Sequence, residues 1–296
     1  MLGTIVEYSK RWYRAVGGTE TAAGGIDWET VGVHALLALS VFLLVLPVLI
    51  AAVVSTKETG IVTTPADLVP GSYAYENYRR ALVDFNFDQF LLNSFVMSIV
   101  IVVGKLLLSL LAALAIVYYR IPYKDFVFLF ILFTLMLPVP VRFVPLYELV
   151  VNIGWSNTLA AITIPYLASA TTVFILRQHF LSISPSMVET AKLDGVGPIK
   201  FLVYVLIPMS KGVLVGVSVI MFVYAWNQYL WPLVIIDSES RQVVQVGLSL
   251  LEGEAMAGDV AWAMVMSGAI LTLIPPLALL VLFRKPLLQT FTIQQK

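Results

Sequence analysis

The side chains in this sequence that could do chemistry are few, and most of them interrupt apolar stretches. Lys105 sits in the middle of the run Leu92–Tyr118, and Arg142 lies in a proline-broken run with Pro138, Pro140 and Pro145. Asn227, Gln228 and Tyr229 follow one another, flanked by Trp226 and Trp231. A cation held among aliphatic side chains attracts an anion, adjacent amides hydrogen-bond hydroxyls, and aromatic faces pack on the apolar side of a polyol. Solute sites combine apolar walls with a few placed polar groups of this kind. Two other roles stay open: a buried structural pairing of Lys105 or Arg142, for instance with Glu148 or with a partner subunit, and an interfacial aromatic belt for residues 226–231.

Catalysis finds no counterpart set. The chain has no cysteine, which removes thiol nucleophiles, disulfides and iron–sulfur ligation. Its two histidines, His34 and His179, lie in no metal-ligand spacing; they are expected at the mouth of a helix and in a loop. There is no G-x-x-x-x-G-K-[ST] phosphate loop, catalytic triad or paired carboxylate. The expectation is a chain that is no enzyme by itself and has no cofactor or metal of its own.

The elements that must position these residues are membrane helices. Of 296 residues, 59% are hydrophobic and 12% charged, and the mean hydropathy is +0.92. Soluble domains carry roughly 25% charged residues. Six apolar blocks stand out: Val33–Val54, Leu92–Tyr118, Phe126–Leu149, Leu159–Leu176, Gly212–Ile236 and Trp262–Phe283. A spanning helix needs about 20 apolar residues, so the expected fold class is an all-α membrane protein with six transmembrane helices. Lys105 lies about 13 residues from either end of its block, too deep to snorkel, and a central lysine costs about 2.5–3.5 kcal/mol to insert.

Basic residues set the orientation. Lys10, Arg11 and Arg14, then Arg120 and Lys124, then Arg177, Lys192, Lys200 and Lys211, then Arg284, Lys285 and Lys296 occupy four alternate regions. The intervening regions hold only Lys57, Arg79, Arg80 and Arg241. Both termini are therefore expected in the cytoplasm. Residues 1–30 read as a cytoplasmic extension without a cleavable signal. Residues 31–91 hold the first span and a long outer loop, 92–285 the permeating core, and 286–296 a cytoplasmic tail. The two long outer segments, 55–91 and 237–261, read either as a docking surface for an extracytoplasmic partner or as plain surface loops.

The segment Ser184–Pro208 is expected to form a helical hairpin in the largest basic loop. Ser184-Pro185 starts a helix, with a hydroxyl N-cap and proline at the first position. Asp194-Gly195 stops it, glycine accepting the left-handed cap. Gly197-Pro198 starts a second helix, expected to end at Pro208.

Glu189-Thr190-Ala191, Gly195 and Val205-Leu206-Ile207-Pro208 resemble the EAA loop of type I ABC importer permeases, with spacing kept from Glu189 to Pro208. Thr190 stands where that pattern has alanine, and Asp194 matches its acidic residue before the glycine. The resemblance implies a permease fold with a cytoplasmic coupling helix that docks on an ATP-binding subunit through Glu189, Thr190, Ala191, Asp194, Gly195 and Pro208. It also implies a second, similar permease, an ATPase dimer that binds ATP and magnesium, an extracytoplasmic solute-binding protein, and an inner-membrane location. Ala168-Ser169-Ala170-Thr171, Leu176-Arg177-Gln178-His179-Phe180, Thr134–Pro138 and Trp226–Pro232 look like the smaller permease of glycerol-3-phosphate importers, within the carbohydrate-uptake group. This narrower likeness spans roughly residues 76–285 and implies glycerol 3-phosphate or a glycerophosphodiester as solute, or else a sugar. It also places the stretch Trp226–Trp231 on the solute path. A secondary transporter or channel is the alternative from another class, although the chain shows no clear internal repeat.

Overall fold

The computed structural model describes residues 28–60, 64 and 68–287. The expected N-terminal extension up to residue 27, Pro65, and the tail beyond residue 287 lie outside the described residues. Three helices are long and apolar enough to cross a membrane unbroken: α1 (Trp28–Val54), α3 (Phe87–Tyr118) and α14 (Trp262–Leu282). The other three apolar blocks bend.

Each bend has a local cause. The third block divides into α4 (Lys124–Met136) and α5 (Val139–Asn152), whose axes meet at 98°. Pro138 follows Leu137, which is extended at φ −71°, ψ 120°, because a residue before proline is pushed out of the helical region. The fourth divides into α6 (Leu159–Thr163), continued by a 3-10 turn through Tyr166, and α7 (Ala170–Leu181), at 41°. Thr158 and Ser169 cap the two starts, their hydroxyls accepting the Ala161 and Thr172 N–H groups. The fifth block is not one helix. It consists of α11 (Lys211–Trp226) and α12 (Leu230–Ile235), separated at Asn227–Tyr229. At 1.5 Å per residue, the 16 residues of α11 cover only about 24 Å.

The long helix α3 is the spine. It packs against α7 and α11 and also touches α4, α6 and α13 (Val244–Ala257). Its buried face carries Ser94, Ser98, Ser109 and Ala113, small residues of the kind that let helices approach closely in membranes. Gly104 belongs to the same set: a Cβ there would lie 2.4 Å from Leu167 Cδ2, so the break in the fourth block seats directly on α3.

The loops segregate to opposite ends. At one end Asn77, at the centre of α2 (Ala74–Arg79), donates to the carbonyls of Ser55 (2.9 Å) and Lys57 (2.6 Å). Asn93 bonds the carbonyls of Ser240 and Gln242, and Asn157 bonds Ser238. At the other end Leu110, Leu114, Leu176, Phe180 and Val188 pack with Phe201 and Leu206 in one apolar cluster. This grouping puts the described residues of 55–60 and 68–86 together with 236–261 and away from 182–210, as the alternation of basic loops requires.

Two outer segments read as loops contain helix. α2 runs on into a π-helical turn (Arg80–Asp84), and α3 begins at Phe87, five residues before the apolar block. Residues 244–257 form α13, which buries Val244, Gly247, Leu251 and Ala255 along one face. The spacing is that of an amphipathic helix. Acidic residues at 252 and 254 mask it in a search for unbroken apolarity.

Gly247 makes the contact of α13 with α3 possible, because a Cβ there would fall 2.1 Å from the ring of Phe90, itself 1% exposed. Gly247→Ala is expected to destabilise the protein by about 1–3 kcal/mol through overpacking. Gly253→Ala, on the open side of the same helix where an added methyl would meet no atom within 4 Å, is expected to be neutral or to stabilise by up to about 1 kcal/mol. Thermal unfolding of the two purified variants checks both signs.

Candidate functional site

Two features collect the residues singled out in the sequence: a half-open cavity between the bent spans and a hairpin projecting from one end. The cavity has a volume of about 480 Å³. The two helix breaks face each other across it. Thr134, Leu135 and Leu137 come from the α4–α5 break, and Pro165, Tyr166, Ala168, Ser169, Ala170 and Thr171 from the α6–α7 break. The α3 spine adds Lys105, α5 adds Arg142 and Phe143, and α11 adds Met221 and Tyr224. Lys105 and Arg142, 37 positions apart in sequence, thus line one space.

Lys105 is 4% exposed and stands 13 residues before the end of α3, roughly 20 Å of helix at 1.5 Å per residue. Its ammonium lies 4.3 Å from the centre of the Tyr224 ring and 3.9 Å from Met221 Sδ. These are soft contacts. Among the described residues the ion pairs within 4.0 Å both involve Arg79, with Glu76 and Asp84. A pairing of Lys105 or Arg142 with Glu148 is therefore not formed within this chain. Arg142 and Glu148 are six residues apart on one helix, which sets them about 120° apart around its axis. Among the described residues the cavity wall carries two cations, the hydroxyls of Thr134, Tyr166, Ser169, Thr171 and Tyr224, and no carboxylate. Such a lining favours an anion or a polyol over a cation.

Asn227, Gln228 and Tyr229 form the break between α11 and α12 and line an open groove with Val223 and Tyr224. Asn227 donates to the Val223 carbonyl (2.8 Å), and its own oxygen accepts from Gln245 (3.1 Å); Tyr229 meets Ser249 (3.2 Å). Tyr224 borders both groove and cavity. The flanking tryptophans turn the other way. Trp226 is 1% exposed, stacks on Phe222 and donates to the Thr272 carbonyl (3.1 Å). Trp231 is equally buried, meets Phe143 edge-on and donates to the Ala161 carbonyl (2.9 Å). Both are packing residues in this chain, neither on the open groove nor in an exposed aromatic belt.

The projecting hairpin consists of α8 (Pro185–Leu193), a turn, α9 (Pro198–Phe201), a π-helical turn (Leu202–Leu206) and α10 (Ile207–Met209). Gly195 has φ +68°. The Val196 N–H returns to the Ala191 carbonyl and the Asp194 N–H to Thr190, the Schellman arrangement that ends a helix on glycine. Val196 and Ala191 pack on the apolar cluster below, whereas Glu189, Thr190, Asp194 and Gly195 face outward. Leu193 is 88% exposed. The second helix does not stop at Pro208; it passes through to Met209. The wider π turn before Pro208 makes this possible, because it relieves the ring's demand on the carbonyl one turn back.

Both histidines differ slightly from expectation. His34 is within α1, its Nδ1 donating to the Thr30 carbonyl (2.7 Å). His179 is in the last turn of α7 rather than in a loop.

Residues 105–286 match the model of the family described as binding-protein-dependent transport system inner membrane component. The chain belongs to that family. A sn-glycerol-3-phosphate transport system permease protein UgpE of Brucella melitensis biotype 1 is 38% identical over 260 residues, covering 85% of this chain and 92% of the relative. Its counterpart in Escherichia coli O157:H7 is 36% identical, covering 87% and 94%. In fold the chain is similar to a chain in the crystal structure of a bacterial ABC transporter involved in the import of the acidic polysaccharide alginate. The TM-score is 0.74 at 22% identity, over 92% of this chain and 99% of that one. The fold is thus that of an ABC importer permease, and the chain is an inner membrane transport component.

Tyr224, Tyr166, Ser169 and Thr171 join the site although charge and amide content within the spans do not single them out. Met221 and Tyr224 of α11 and, just past its end, Asn227–Gln228 recur at helical spacing, which is a signal the sequence does carry. Pro165 with Ser169, a break followed by a hydroxyl cap, is the signal for the second wall.

The opposite burial of neighbours in this segment separates their roles. Trp226→Ala is expected to cost about 3–5 kcal/mol and to lower the amount of protein in the membrane. Gln228→Ala is expected to leave the amount unchanged and slow uptake of the transported solute by about two- to tenfold, the worth of one neutral hydrogen bond. Immunoblotting of membranes beside uptake by the same cells tests both.

Proposed function

We propose that this chain is one permease half of an ATP-driven importer for a small polar phosphate ester, sn-glycerol 3-phosphate or a glycerophosphodiester. A second, similar permease completes the path. An ATPase dimer docks on the α8–α9 hairpins, and an extracytoplasmic solute-binding protein delivers the solute. ATP and magnesium belong to the ATPase, and the hairpin end with both termini faces the cytoplasm. Closure of the ATPases tilts the bent spans and exposes the central cavity alternately to the two sides.

The observation that carries the coupling role is the shape and exposure of the hairpin. A Schellman turn fixes its tip, Glu189, Thr190, Asp194 and Gly195 face outward, and Leu193 stands 88% exposed. An aqueous loop that served only to connect two spans has no reason to present leucine so fully; a docking surface does. The solute assignment is supported by the names of the relatives and by a cavity that bears two cations without a carboxylate.

A Cβ at Gly195 would meet no atom of this chain within 4 Å, so a large side chain there is felt mainly by whatever covers the tip. Gly195→Trp is expected to insert and to assemble with the second permease, yet to lose at least about tenfold in ATP-driven uptake, equivalent to 1.4 kcal/mol. Normal uptake by the assembled variant sinks the coupling role. For the topology, a cysteine in place of Asp194 is expected to resist an impermeant thiol reagent in intact cells and to react in inverted vesicles. The same replacement at Glu252 is expected to behave the opposite way.

A further inference from the structure

The geometry points to a phosphate subsite in this subunit, formed by Lys105, Arg142 and the N-terminal turn of α7, that selects the solute by charge. The inference rests on the phosphate-ester reading above and adds where, and through which groups, the charge is recognised.

Three independent sources of positive potential converge on the cavity. Lys105 comes from the middle of α3 and Arg142 from the start of α5. The third is the first turn of α7, a helix of 12 residues, whose Ser169, Ala170 and Thr171 line the wall. Helix N-termini carry a partial positive charge and unused N–H donors. Ser169 satisfies two of the four first-turn donors of α7. Its hydroxyl accepts from Thr172 N (3.3 Å) and its carbonyl from Val173 N (3.0 Å). The amides of Ala170 and Thr171 have no acceptor among the described residues. Backbone amides at a helix start suit a phosphate.

A purely structural role for Lys105 would call for a compensating group. A buried ammonium is costly unless paired, and in membranes such residues face one another or a cavity. Lys105 has a ring face and a thioether beside it, a second cation lines the same cavity, and the wall holds no carboxylate. Two like charges without a counter-ion disfavour an empty site, and an entering anion relieves the repulsion. A phosphate monoester, with close to two charges at neutral pH, fits this demand better than a neutral sugar. The hydroxyls of Tyr166, Thr171 and Tyr224 line the same wall for its ester and hydroxyl oxygens.

The test uses the assembled importer in proteoliposomes with saturating solute-binding protein. It measures ATP-driven uptake of sn-glycerol 3-phosphate and of sn-glycero-3-phosphocholine, whose phosphodiester carries a single negative charge. Lys105→Met and Arg142→Gln are each expected to slow the monoester by roughly tenfold or more, the scale of a lost charge-assisted hydrogen bond, and the diester less. Lys105→Arg is expected to recover most of the rate. Co-purification with the second permease should match the parent complex. Arg142 is exposed, so its variant keeps the test available even where Lys105→Met fails to assemble. Equal slowing of both esters by Arg142→Gln, or unchanged monoester uptake in both variants, overturns the subsite and leaves the importer reading standing. A parent complex that carries neither ester overturns the solute assignment and the subsite with it.

Discussion

A peptide N–H inside a bilayer has no water to bond, and the places where this chain leaves the helix are governed by that constraint. The interruptions sit at a residue without an N–H, beside a side chain that replaces the lost partner, or in a turn that keeps its own backbone bonds. Pro138, Pro165 and Pro208 mark three breaks or widened turns. The hydroxyls of Thr158 and Ser169 cap two restarts. At the α11–α12 break the chain turns with Asn227 N bonded to Val223 O and Gln228 N to Ala225 O. The interruptions at 137–138 and 167–169 also face one another, and the cavity is the space they leave. A solute path is thereby obtained, and the amides of Ala170 and Thr171, which lack a partner among the described residues, lie at the cavity wall.

Much of the fold was legible because transfer from water to lipid is a strong, local signal. Apolar blocks and basic loops located the spans and their alternation. The glycine turn at 195 and the proline start at 198 were legible because glycine takes the left-handed cap without a Cβ penalty and proline fixes φ whatever surrounds it. The bends were only half legible. Pro138 announces a break, but its 98° angle depends on what α4 and α5 pack against. α13 was missed because its apolar residues lie on one face and its acids on the other, so average hydropathy sees neither.

The site shows the same division. Lys105 and Arg142 stood out as charges in apolar runs, and the structure brings them to one cavity. Their meeting was not legible, since it depends on two bent spans folding toward each other. Trp226 and Trp231 show the reverse failure. Residue type placed them with Asn227 and Gln228, but a helix turns 100° per residue, so direct neighbours look in different directions. Tyr224, three residues earlier than Asn227, shares its face and joins groove to cavity.

α1 is held differently from the other spans. Val31 to Val45 are exposed in this subunit, and burial begins near Leu46 to become complete at Val54 and Ser55. There Asn77 and Tyr78 clasp the helix end, and a Cβ at Gly60 would strike the backbone of Ala263. The helix is a rod clamped at one tip. Within this subunit, substitution along its first half meets only the requirement to stay apolar and long enough to match the bilayer, whereas its last three turns answer to neighbouring shapes. The expected consequence for homologous chains is a gradient of constraint along one helix, loose over its first half and tight over its last turns.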